Sequence, residues 1–165
     1  MAVSAGQRWF AVRTAGFFGT TFFATGIYLP FFPVWLAGQG LSEPEIASII
    51  AAPFFVRAVI SPTLAVLADR FADLNVAGGV YGLAAAAVFA GLGFVSGYWS
   101  ILCLSAMAMV FWSALIPIGD AVAIVGVKRL GMDYGRVRLW GSVTFIVGNF
   151  ATAEVLVNRR LEDTL

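Results

Sequence analysis

Long stretches without charged side chains constrain this chain more than any other feature of its sequence. Four stretches of 20 to 23 residues contain at most one charge: 15–36, 46–68, 76–95 and 99–119. A fifth stretch, 137–157, carries Arg138 and Glu154. About 20 apolar residues in a helix span a hydrocarbon core of about 30 Å. The sequence therefore predicts an all-α, polytopic bundle of about five transmembrane helices.

The predicted spans are joined by short loops within a single membrane domain that covers 1–165. We expect the spans at about 10–36, 46–68, 76–96, 99–127 and 136–157. Only 12% of the residues are charged, against about 25% in an average soluble chain. The mean hydropathy of +0.92 agrees with a protein that lies mostly in lipid. Short connections make successive helices antiparallel neighbours.

Lysine and arginine residues concentrate in alternate loops. If the N-terminus is cytoplasmic, six of them lie on the cytoplasmic side: Arg8, Arg13, Arg70, Lys128, Arg129 and Arg136. The opposite loops, 37–45 and 96–99, contain neither residue type. Because cytoplasmic loops carry the excess of positive residues, we predict a bacterial-type inner-membrane protein with a cytoplasmic N-terminus. Arg159 and Arg160 depart from this pattern, since five spans place the C-terminus outside.

Arg57 lies 11 residues from each end of the second stretch, 46–68. This is about 16 Å along a helix, and an arginine at such depth normally faces a protein interior or a water-filled cavity. Pro53 and Pro62 flank it, and prolines free backbone carbonyls that can accept hydrogen bonds. Two interpretations stay open: Arg57 binds a ligand or couples charges, or it forms a buried ion pair that fixes helix packing.

Asp120 is a second charge within a predicted span. It follows Pro117 and precedes the apolar segment AVAIVGV at 121–127. That segment favours a position inside the span, about 10 Å from its cytoplasmic end. The alternative is an ordinary interfacial carboxylate at the point where the helix leaves the bilayer.

Arg138 begins a polar-leaning face of the fifth predicted span. Residues at i, i+4, i+7 and i+11 share one side of a helix, and here they are Arg138, Ser142, Phe145 and Asn149. We expect Arg138 to face inward towards Asp120, Arg136 to stay at the surface and Trp140 to face lipid. Two arginines and one aspartate sum to +1, which suits an anionic ligand or a carboxylate from elsewhere.

Two residue patterns concern packing more than chemistry. The aromatic residues of the first span predict mainly lipid contact and interface anchoring, with a minority, including Tyr28, able to stack against a ligand. Gly78 and Gly82 stand four apart in the third span. Small residues at this spacing favour close helix packing, and the alternative is a helix that slides during a transport cycle.

The sequence offers no basis for an enzyme. It contains no histidine and one cysteine, so it lacks the commonest metal ligand and any cysteine-rich metal site. No H-E-x-x-H motif is present, and no serine or cysteine lies near a base that could activate it. We predict no catalytic site, no metal, no cofactor and no nucleic-acid partner.

Three segments resemble the N-terminal portion of a major facilitator superfamily transporter. They are GIYLPFFPVWL at 26–36, LADR at 67–70 and DYGRVRLWGS at 133–142. The likeness is narrower to the lactose permease-like and phenylpropionate permease-like branch. It implies two six-helix halves with the solute near the midplane between them, and here about five spans of the first half.

The resemblance also implies roles for individual residues. An acidic residue in span four and an arginine in span five hold substrate in the lactose permease, 18 positions apart, as Asp120 and Arg138 are here. Asp69 and Arg70 belong to the family's cytoplasmic gating loop. That loop departs from the family pattern, because alanines replace its glycines and Asp73 and Leu74 replace its basic pair.

The charges within the predicted spans and the resemblance together imply a secondary active transporter of a small organic solute, and the resemblance implies that it is a proton-coupled symporter. An organic or aromatic acid is favoured over a sugar or nucleoside. The candidate solute-binding residues are Asp120, Arg138, Arg57, Tyr28 and Asn149. The alternative is a truncated, non-transporting membrane module or assembly partner. Five spans also indicate a missing C-terminal half or a second chain as partner, beside the lipid bilayer and the solute.

Overall fold

The computed structural model describes residues 5–68 and 73–162, and within them the side chains of 5–60 and 73–157. The described residues form five α-helices: α1 (Ala5–Gly38), α2 (Glu43–Ala68), α3 (Leu74–Gly91), α4 (Tyr98–Leu130) and α5 (Tyr134–Glu162). A 3₁₀ turn at Leu92–Phe94 extends α3. This confirms the predicted all-α architecture.

Among the residues that the structure describes, four helical segments are long and apolar enough to cross a membrane. They are Ala5–Gly38, Leu74–Phe94, Tyr98–Leu130 and Tyr134–Val157. The predicted span at 46–68 also forms a helix, α2, whose described side chains include Glu43, Glu45 and Arg57. Each helix begins or ends within a turn or two of its predicted boundary, and α4 continues three residues beyond the expected end at 127.

Polar caps explain where three of the helices begin. Ser42 precedes α2, and the Glu45 carboxylate accepts hydrogen bonds from its backbone N–H (2.8 Å) and its hydroxyl (2.6 Å). Asp73 caps α3 by accepting from the Asn75 N–H at 2.8 Å. Asp133 accepts from the Arg136 N–H at 3.2 Å at the start of α5. In each case a side-chain carboxylate accepts a hydrogen bond from a backbone N–H at the start of the helix, where the helix itself supplies no acceptor.

The chain divides into two compact units, so the predicted single membrane domain stays a prediction. The first unit takes Met1–Val34 and Val122–Leu165, and the second takes Trp35–Ala121. In the first unit Phe18 is the centre of a buried cluster with three other residues: Ala123, Met132 and Val137. Half-buried aromatic rings of α1, including Phe10 and Phe22, pack against this cluster.

Within the first unit α1 and α5 approach each other at their backbones. A Cβ atom on Gly148 would lie 2.6 Å from the Phe23 carbonyl oxygen and 3.4 Å from the Gly26 Cα. A Cβ on Gly26 would press on the Phe145 carbonyl and lie 3.2 Å from the Asn149 backbone nitrogen. Only glycine permits this approach, which brings the middle of both helices into direct contact.

The second unit is held by side chains. The Ser48 and Tyr98 hydroxyls share a hydrogen bond of 2.9 Å between α2 and α4. The α3–α4 contact includes two pairs of aromatic rings, Tyr81 with Phe111 and Phe89 with Trp112, at 6.2 and 6.1 Å between centroids. Gly78, one of the two glycines predicted to favour packing, is buried.

Candidate functional site

Arg138 lies in the second turn of α5 and packs against two rings of α1. Its guanidinium carbon is 4.5 Å from the ring centroid of Phe22 and 4.9 Å from that of Phe18. Phe18 is fully buried, whereas Phe22 and Arg138 are half-buried. A cation over an aromatic face gains about 0.5–1 kcal/mol at exposed sites and about 2 when desolvated. Arg138 is therefore held within the first unit, which agrees with the inward orientation predicted from the sequence.

Arg136 stands two residues earlier and takes the opposite role. Its side chain is 87% exposed, and its Nε lies 3.3 Å from Oδ2 of Asp133 in the preceding turn. Two positions along a helix differ by about 200°, so neighbouring arginines face opposite sides. Trp140, 58% exposed, also turns away from the first unit's core. The expected division between an inward Arg138 and an outward Arg136 is confirmed.

Asn149 lies beside the backbone contact of α1 and α5. Its Nδ2 donates to the Phe145 carbonyl at 2.9 Å, and the same nitrogen is 3.2 Å from where a Gly26 Cβ would stand. Asn149 therefore borders the helix crossing near mid-span. Thr152, one turn further on, is buried and donates to the Gly148 carbonyl at 2.9 Å.

Tyr28 occupies another side of α1. Its half-buried ring stacks on Phe32 with 4.6 Å between centroids and an interplanar angle of 26°. Because Tyr28 is two positions beyond Gly26, it points about 200° away from the side that meets Asn149. Tyr28 therefore lies on a different side of α1 from the one that meets Asn149 of α5.

Arg57 belongs to the second unit and lines a small cavity there. The side chain is exposed, and the cavity is about 50 Å³ in volume. The wall is formed by apolar and aromatic residues of α2 and α4 together with one serine: Pro53, Phe54, Met109, Trp112, Ser113 and Ile116. An arginine that lines a cavity agrees with the expectation for a mid-span charge.

Asp120 is half-buried in α4, ten residues before the helix ends at Leu130. The helix continues through the apolar segment that follows it, as the interior interpretation required. Asp120 belongs to the second unit and Arg138 to the first, so their pairing stays a prediction. The gating residues Asp69 and Arg70 lie outside the described residues.

The two rings under Arg138 were not predicted from the sequence. Phe18 and Phe22 were assigned with the other aromatics of α1 to lipid contact, yet both pack inside the first unit. Their i, i+4 spacing places them on one helix face, and this is the sequence pattern that could have indicated a shared packing role. It does not distinguish them from the other aromatic pairs of α1, such as Tyr28 and Phe32.

Comparisons with known proteins find relatives of this chain. The model of the MFS_1 like family matches residues 12–163. The probable 3-phenylpropionic acid transporter of Escherichia coli (strain K12) is 35% identical over 153 residues, which are 90% of this chain and 38% of the relative. The maltose permease of Geobacillus stearothermophilus is 30% identical over 137 residues, 82% of this chain and 34% of the relative.

The chain thus spans less than two fifths of the length of these curated relatives. No solved structure matches it.

Proposed function

Because the chain belongs to the MFS_1-like family of major facilitator transporters, we propose that it carries out secondary active transport of a small organic solute. The proposed mode is proton-coupled symport, with alternating access of a site near the midplane. The family and the transporter relatives identify a multi-pass membrane transport protein rather than an enzyme.

The proposed solute is an organic acid with an aromatic ring, in preference to a sugar or a nucleoside. Two arginines and one aspartate are the charged candidates, and their sum of +1 suits an anionic solute. The name of the 35% identical relative refers to an aromatic acid, whereas that of the 30% identical relative refers to a sugar. The aromatic rings of Phe54 and Trp112, which line the cavity beside Arg57, would contact the apolar part of such a solute.

Each candidate residue has a proposed role. Arg138 and Asp120 contact the solute, and Arg57 attracts its carboxylate. Tyr28 and Asn149 contribute hydrogen bonds from the middle of α1 and α5. Outside the described residues, Asp69 and Arg70 gate the cytoplasmic side.

The half-buried position of Arg138 carries the proposal. An arginine at the centre of a membrane span costs about 2.5–3.5 kcal/mol on insertion scales, and the cost is smaller near a helix end. Arg138 lies near the start of α5, yet its guanidinium packs against two rings of α1 instead of extending to the surface. Arg136, two residues away, is exposed and paired with Asp133. The two arginines therefore provide a matched comparison of an inward and a surface charge.

The proposed membrane is the bacterial cytoplasmic membrane, with the N-terminus in the cytoplasm. The distribution of lysine and arginine supports this orientation. Single cysteines introduced at exposed loop positions would be labelled from opposite sides of the membrane. In this orientation position 39 (Gln39) is reached from outside the cell and position 133 (Asp133) from the cytoplasm. Labelling of both from the same side would reject the orientation.

Transport by the gene's complete product tests the function. Proteoliposomes with an inward proton gradient are expected to accumulate labelled 3-phenylpropionate in preference to labelled maltose. Uptake that is unchanged when the gradient is dissipated would reject symport, and preferential uptake of maltose would reject the acid.

The two arginines refine the same assay. Arg138→Ala is expected to reduce uptake at least about tenfold, since one charge-assisted hydrogen bond contributes about 1.5–3 kcal/mol. Arg136→Ala is expected to leave it within about twofold, as an exposed ion pair contributes little. Equal effects would contradict the assigned site.

Accumulation of neither solute would favour the non-transporting module, and the intact mass in the native membrane would then direct the search for a partner.

A further inference from the structure

The rings of Phe18 and Phe22 support the guanidinium of Arg138 from one side. We propose that Phe22 is a positioning residue that holds Arg138 in its solute-binding orientation and thereby sets the affinity for an anionic solute. This inference rests on the proposed function, because it takes Arg138 as a solute contact. It assigns to an α1 ring a role that its lipid-type sequence context does not suggest.

The ring pair is itself held in place. Phe18 lies fully buried in the cluster with Ala123 and Val137, and the Phe18 and Phe22 centroids are 6.5 Å apart. Phe22 is further confined by α5, since a Cβ on Gly141 would lie 2.9 Å from Phe22 Cδ2. Gly141 follows Arg138 by three residues, on the same side of α5. One short segment of α5 therefore both presents the arginine and confines the ring beneath it.

The physical effect is preorganisation. An arginine side chain has many rotamers and loses that freedom when it binds a ligand. A ring face attracts the guanidinium electrostatically. The rings of Phe18 and Phe22 therefore order the Arg138 side chain before the solute arrives. Binding to an ordered group requires less further loss of freedom. Leucine and methionine at position 22 keep apolar bulk, but they lack the ring face that attracts the cation.

The test compares Phe22→Leu, Phe22→Met and Phe22→Tyr in the gene's complete product, with labelled 3-phenylpropionate in proteoliposomes. The leucine and methionine variants are expected to raise KM about fivefold with Vmax nearly unchanged, as loss of a partly desolvated cation–π contact implies. Tyrosine retains the ring and is expected to keep the original KM. Phe23→Leu is the matched control, because that neighbouring side chain is 38% exposed.

A second measurement is independent of transport. Purified variants are treated with phenylglyoxal, and modification of Arg138 is followed by peptide mass spectrometry. Faster modification in Phe22→Leu and Phe22→Met than in Phe22→Tyr would support the proposal. An unchanged rate, a KM equal to that of the original protein, or equal changes in all three variants would overturn it. Normal uptake by Arg138→Ala would instead reject the solute-binding role proposed for Arg138, and the phenylglyoxal result would still test whether Phe22 positions the guanidinium.

Discussion

In the first unit α1 and α5 meet at their backbones, whereas in the second unit α2, α3 and α4 meet through side chains. Gly148 and Gly26 leave no room for even a methyl group. In the second unit a Cβ on Gly82 would lie 3.9 Å from the nearest atom, Cδ2 of Leu115. The first contact is therefore intolerant of added volume, while the second can adjust through rotamers.

The two units also differ in how they hold an arginine that lies within a predicted span. Arg138 is half-buried against the faces of Phe18 and Phe22. Arg57 is exposed at a cavity of about 50 Å³. Backbone contact between α1 and α5 brings a ring and a guanidinium from two helices together, and it leaves little freedom to either. The looser side-chain packing of the second unit leaves open space beside its arginine.

The same substitution in the two units should have opposite effects. We expect Gly148→Ala to lower stability by about 1–3 kcal/mol, because the added Cβ forces the helices apart. Gly82→Ala should be neutral or stabilising by up to about 1 kcal/mol, since alanine is the better helix former. Thermal unfolding of each variant in detergent measures both. Equal destabilisation would show that the close approach at Gly148 has no special consequence.

A smaller effect is expected from the hydroxyl bond of the second unit. Tyr98→Phe removes the hydrogen bond to Ser48 and should cost about 0.5–1.5 kcal/mol. The Ser48 hydroxyl also donates to the Glu45 carbonyl at 2.7 Å, so Ser48→Ala in the Tyr98→Phe background should add only the loss of that local bond. A double-mutant cycle from unfolding midpoints gives the coupling. Additive losses would mean that the hydroxyls act separately.

The smallest effect concerns the cap of α2, at the loop end of the second unit. The Ser42 hydroxyl, and then its backbone N–H, donate to the Glu45 carboxylate and lower the pKa of Glu45. A folded pKa below the unfolded value adds stability above the unfolded pKa, about 4.3, which is lost as pH falls through the folded value. Glu45→Gln should therefore unfold slightly earlier than the original protein at pH 7.

That small difference should disappear in acid, below the lowered pKa of Glu45. Unfolding midpoints of the two proteins between pH 3 and 7 would reveal it. A difference that persists at the lowest pH, or that grows there, would contradict the predicted loss of the Glu45 contribution to stability in acid. Ser42→Ala provides the matched variant, because it removes the hydroxyl donor while Glu45 remains.

Helix positions could be predicted because each depends on nearby residues. Serine is a residue type favoured just before a helix, and Ser42 before α2 is held by Glu45 three residues on. The opposite orientations of Arg136 and Arg138 follow from helical periodicity alone. In contrast, Gly82 was singled out for packing, yet a Cβ there would meet only Leu115 at 3.9 Å, whereas backbone atoms crowd Gly26 and Gly148. Glycine spacing marks a helix as able to pack closely, but it does not identify the partner helix.

The sequence by itself determined the helices, their caps and which charges lie within them, because hydropathy, capping and the helical period act over a few residues. The tertiary structure alone decided that α1 meets α5 at Gly26 and Gly148, and that Phe18 and Phe22 receive Arg138. These residues are more than 100 positions apart along the chain. Their contact depends on the register between two helices, and that register results from the volumes of all the facing side chains together.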